Sequence, residues 1–149
     1  MGLPAVLDSV RRRPGMHLLS VSFDGAVDLV QGFDAAMHRG LLRGFHEWLT
    51  VALGEMDCAA WPAQVRELLR RTRPEIVDEA ELIDALFETI EGFLARRDAP
   101  YGMRRIYANY EAWLRAQEWY GPASPNWIVG NSTGDGSSGD PDGGVADRG

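Results

Sequence analysis

Along most of this chain the apolar residues recur three and four positions apart, the spacing of helices that bury one face, and Gly or Pro separates the runs. After Pro4, which a first helical turn tolerates, Val6, Leu7 and Val10 give a short apolar face that stops at Arg11-Arg12-Arg13-Pro14-Gly15. Ser22 is placed to cap a second helix carrying Phe23, Val27, Val30, Phe33 or Ala35, and Met37, with Gly25 and Gly32 as weak points or points of close packing. Leu42, Phe45, Trp48, Leu49 and Leu53 form a third stripe that ends at Gly54, where a left-handed cap belongs. Pro62 opens a fourth segment with Trp61, Val65, Leu68 and Leu69 on one side, and Pro74 closes it.

The clearest pattern follows. Asp78 and Glu81 read as a capping box, and Leu82, Ile83, Leu86, Phe87, Ile90, Phe93 and Leu94 line one face of a fifth helix. A sixth, from near Gly102, turns Met103, Ile106, Tyr107, Tyr110, Trp113 and Leu114 inward and is terminated by Gly121-Pro122. Strand signals are confined to Met16-His17-Leu18-Leu19 and Trp127-Ile128-Val129, enough for at most one short two-stranded pairing. No internal repeat is present. The predicted fold is mainly α: an irregular bundle of five to six helices over residues 1–129. Residues 130–149, rich in Gly, Ser and Asp, hold almost no apolar surface to offset the entropy of ordering and are expected to form a disordered acidic tail.

Composition agrees with one domain: 149 residues, 45% of them hydrophobic, are enough for a core. The formal charge is −7 and the pI near 4.9, which opposes broad attraction to nucleic-acid phosphates and favours a basic protein partner. Of that charge the tail carries −3, from four aspartates against Arg148, and the body −4. All 15 basic residues are arginines, a bias expected of a GC-rich bacterial genome. No apolar run approaches the roughly 18 residues a membrane span needs, and the start lacks the residue order of a secretory signal. Cys58 is the single cysteine, so no disulfide can form within the chain; a reducing cytoplasm and a buried, inert thiol are expected.

His46-Glu47-Trp48-Leu49-Thr50 begins like a zinc-protease helix, but Thr50 stands where the second histidine ligand must be. His17, His38 and His46 have no ligand spacing around them, so no metal, cofactor or catalytic set is assigned. Val10 to Met16, with its Arg-Pro-Gly-Met, resembles the opening of the ATPase domain of type II topoisomerases. Such a domain also needs an acid- and Asn-bearing helix and a Gly-rich loop, and Gln31-Gly32-Phe33-Asp34 supplies neither. Over residues 10 to 70 the chain is similar to small bacterial proteins of an accessory or immunity type. The likeness rests on Arg-Pro-Gly-Met, Val30-Gln31-Gly32-Phe33, Gly44-Phe45-His46-Glu47-Trp48-Leu49 and Ala60-Trp61-Pro62, with His17 where an aromatic residue often follows the Met. It implies a single-domain accessory or immunity-type factor.

On the fifth helix Glu81, Asp84, Glu88 and Glu91 share the polar face, and no basic residue of the same helix stands one turn away to relieve a repulsion of roughly 0.2–0.5 kcal/mol per pair. Arg66, Arg70 and Arg73 of the preceding segment are internal candidates to face them; a basic partner is the external one. Trp48, Trp61 and Trp113 read as core, whereas Trp119, Tyr120 and Trp127 flank turns and suit an interface or packing of the C-terminal segment onto the bundle. The reading is a non-catalytic protein-binding module that masks a basic partner through Glu81, Asp84, Glu88 and Glu91, with Trp119 and Trp127. The alternative is a small enzyme or ligand-binding domain whose site assembles only in three dimensions, with His17, His46 and Arg43 as its reactive residues.

Overall fold

The longest amphipathic run organises the fold. In a computed structural model that describes residues 2–120, Asp78 caps a helix over Glu79–Asp98 by accepting hydrogen bonds from the Ala80 and Glu81 N–H groups. Six further α-helices are present among the described residues, and in chain order we number them α1 (Ala5–Arg12), α2 (Pro14–His17), α3 (Phe23–Ala36), α4 (Phe45–Leu53), α5 (Trp61–Thr72), α6 (the long helix) and α7 (Gly102–Arg115). α6 packs against α1, α3, α4, α5 and α7 because Ile83, Leu86, Phe87, Ile90, Phe93 and Leu94 are all essentially buried. Full burial of such side chains is worth about 1.5–3 kcal/mol each before the entropy of ordering is subtracted. The described residues divide after Ala116 into two units. Of the second, the described residues hold one 3-10 turn, Glu118–Tyr120, in which the Trp119 and Tyr120 rings meet edge to face.

Local chemistry sets the other elements. Ser22 caps α3 by accepting from the Gly25 N–H, and Gly54 ends α4 in the left-handed conformation with its N–H donated to the Thr50 carbonyl. The turn into α7 requires glycine for space: a Cβ on Gly102 would collide with the carbonyl oxygens of Arg96 and Arg97. Phe45 sits at the centre of an aromatic cluster, 5.0 Å from Phe93, 5.6 Å from Trp61 and 6.0 Å from Trp48 between ring centroids.

Met37, expected on the apolar face of its helix, is 55% exposed, and other expectations change as well. Met16-His17-Leu18-Leu19 does not form a strand: Pro14 opens the turn α2, whose end is fixed by the Leu18 N–H donating to the Pro14 carbonyl, and no strand occurs among the described residues. That turn raises the count to seven helices. The last helix stops at Arg115, ahead of Gly121-Pro122. Cys58 is exposed, because it falls in the turn between α4 and α5 rather than on an apolar face. Trp127-Ile128-Val129, Gly121-Pro122 and the tail 130–149 lie outside the described residues.

Candidate functional site

The acidic face of α6 is matched from within the fold. Arg11, at the end of α1, donates from Nε to Asp84 Oδ1 at 2.6 Å and from Nη1 to Glu91 Oε2 at 2.9 Å. Arg73, just past α5, reaches Glu88 Oε2 at 2.7 Å. Of the preceding segment's other arginines, Arg66 pairs with Asp24 and Arg70 with Glu67. Only Glu81 of the four stands without an ion pair among the described residues. Trp119 is 60% exposed, and Trp127 lies outside the described residues.

A different picture emerges where α3, α4 and α7 converge. Asp34 pins the chain leaving α3: its Oδ1 accepts from the Leu42 N–H at 2.9 Å and its carbonyl from the Arg39 N–H at 2.7 Å. His38 and Arg39 are thereby held in the left-handed region, at φ 53° and 58°. For non-glycine residues this costs roughly 1–2 kcal/mol each. Gly44, at φ 86°, then starts α4; a Cβ there would stand 3.2 Å from Met103 Sδ. Gly44 offers no capping side chain, so the first-turn N–H groups of His46 and Glu47 lack a partner from within the helix.

These turns shape an open cavity of about 580 Å³, within the range of small-molecule sites. Arg39, Arg43, His46 and Glu47 line it, together with Gln31 of α3, Trp61 of α5 and Tyr107 of α7. Among the described residues neither Arg39 nor Arg43 has a carboxylate partner, and Glu47 has no cationic one. Arg43 and Glu47 are four residues apart, but the left-handed Gly44 takes Arg43 out of the helix and so breaks the geometry that pairs such positions.

Behind the cavity wall, Asp57 joins two elements: Tyr110 Oη donates to its Oδ1 at 2.8 Å, and His46 Nε2 lies 3.3 Å from the same oxygen. Burial, and then the hydrogen bond to Asp57, push the Tyr110 hydroxyl up to about 12. Tyr107 is also pushed up, by burial and by the charge of Glu47, with Arg43 opposing. Thr50, which breaks the zinc-protease pattern, is fully buried; it donates to the His46 carbonyl and accepts from Gln64 Nε2. Among the described residues no group of three or more His, Cys, Asp or Glu side chains is placed to hold a metal ion, and no helix is long and apolar enough to cross a membrane.

Of the residues singled out as reactive, Arg43 and His46 meet at this cavity, while His17 stands apart with Nε2 3.0 Å from Ser9 Oγ. Gln31, then Gly44, His46 and Glu47, then Trp61 come to the cavity from three separate stretches of the chain. Arg39 and Asp57 had no signal of their own, while Tyr107, expected to turn inward, is 39% exposed and lines the cavity. No family model, curated protein or solved structure matches the chain.

Proposed function

We propose that the protein is a ligand-binding domain that takes a small molecule in the cavity between α3, α4 and α7. The observation that carries this reading is unmatched charge: Arg39, Arg43 and Glu47 face one cavity without ion-pair partners, whereas most charges on α1, α5 and α6 are paired. A lone cysteine suits work in the cytoplasm. Native mass spectrometry of the protein purified from its own host tests the reading. The wild type should carry a small molecule that Ala35→Trp, at an exposed position lining the cavity, excludes without loss of folding. Retention of the molecule by the variant would sink the idea.

A second reading keeps the chain as an immunity-type module that masks a basic protein. Its support is the groove beside the start of α6, where Glu75, unpaired Glu81 and Asp84 outnumber Arg73, itself paired with Glu88, around Ile76 and next to the exposed Val77. Here a stoichiometric basic protein should co-purify and be lost on combining Glu75→Gln with Glu81→Gln, but not on Ala35→Trp.

A further inference from the structure

We infer that the ligand of this cavity is a small zwitterion, with a carboxylate or phosphate oxyanion held by Arg39 and Arg43 and a cationic group held by Glu47. The inference rests on the cavity being the binding site and adds the chemistry of what enters it. Two guanidinium groups without carboxylate partners outnumber the one free carboxylate, since Asp34 already accepts the Leu42 N–H. Guanidinium groups present forked donors that match the paired oxygens of carboxylate and phosphate.

The backbone points the same way. At the consecutive left-handed residues His38 and Arg39, glycine is the unstrained choice; an arginine there keeps the strain and gains a cation at the cavity mouth. The open first turn of α4 adds donors and positive potential beside Arg43, and the half-buried Trp61 supplies a flat apolar wall. Glu47 then sets the limit. A carboxylate in the same cavity repels a polyanion but complements an ammonium carried by the ligand, which separates this site from a nucleic-acid or polyphosphate surface.

Three probes test this on the full chain: phosphoethanolamine, inorganic phosphate and ethanolamine, titrated by calorimetry and followed at the indole N–H resonance of Trp61. Phosphoethanolamine should bind about tenfold more tightly than phosphate, and ethanolamine most weakly, because only the first satisfies both charges. Arg39→Gly and Arg43→Gln should each weaken both phosphate probes about tenfold. Arg39→Gly also relieves the left-handed strain, so a folded variant that has lost binding is the expected result. Glu47→Gln should erase the preference for phosphoethanolamine and leave phosphate at least as tight. If phosphoethanolamine leaves Trp61 unmoved, or binds the arginine variants as it binds the wild type, the zwitterion assignment is overturned. Should that happen while Ala35→Trp still excludes a host-derived molecule, the cavity remains the site and only its chemistry was misassigned; retention by Ala35→Trp removes both.

Discussion

The outer face of α6 and the cavity between α3, α4 and α7 both gather ionisable side chains, but they dispose of the charge differently. On α6, Asp84 and Glu91 share Arg11 while Glu88 takes Arg73, so a stripe that looks repulsive within one helix is neutralised by two neighbouring elements. At the cavity, Arg39, Arg43 and Glu47 keep their charges unpaired although oppositely charged groups line the same space. Charge matched within the fold is spent on packing the helices together. Unmatched charge of both signs beside one cavity is what supports the proposed site; Arg96 and Arg105, also without ion pairs among the described residues, line a cavity that holds no carboxylate.

The contrast is sharpened first by the inner face of the same helix. Leu86 is fully buried, and Leu86→Ala should lower the free energy of unfolding by about 2–5 kcal/mol, read by urea denaturation. A loss of under about 1 kcal/mol would mean that α6 is not the centre of the core. On the outer face the effect is smaller. Arg11→Ala removes the partner of two carboxylates and leaves them repelling each other, for an expected cost of about 1–2 kcal/mol that shrinks as salt is added. A neutral result would put the α6 stripe in the same class as the cavity and dissolve the comparison.

What the sequence shows of these two regions differs for a physical reason. α6, its Asp78 cap, the Ser22 cap of α3 and the Gly54 terminus of α4 are local patterns, each decided within a few residues, and all are readable from the chain. The partner of the acidic stripe is not, because Arg11 lies 73 residues from Asp84 and 80 from Glu91, so only the docking of α1 on α6 brings them together. Arg73 could be anticipated, since its helix precedes α6 directly. The turn α2 reads as a strand because a four-residue apolar run has no period of its own, and Pro14 settles the matter. The cavity is the least legible part. Arg43 and His46 stand out as residue types, but Arg39 reaches the site through a left-handed turn and Tyr107 through a helix far along the chain.

Acid titration tests the matched charge on α5, where Glu67 is paired within its own helix. Hydrogen bonds donated by Arg70 and then Arg71 lower the Glu67 carboxyl from the usual 4.5 to about 2. A carboxyl lowered in the folded state stabilises it above about pH 4.5, and that contribution disappears as the pH falls toward 2. Thermal melts between pH 5 and 2 should therefore lose less stability in Glu67→Gln than in the wild type. Parallel pH profiles for the two proteins would show that the clustered arginines of α5 do not hold Glu67 in solution.

The smallest expected effect is the most discriminating. Arg43 is exposed, follows no helical register because of the left-handed Gly44, and has no carboxylate partner among the described residues. Arg43→Gln keeps the length and hydrogen-bonding capacity of the side chain while removing its charge. If the charge serves only what enters the cavity, unfolding free energy should change by less than about 0.5 kcal/mol, as for an ordinary surface substitution. The indole N–H of Trp61 and the signals of Tyr107 should still shift, because removing a cation from the cavity alters the field at its walls. Loss of about 1 kcal/mol or more would show instead that Arg43 is paired in solution with Glu47, placing the cavity's charges among those that hold the fold together.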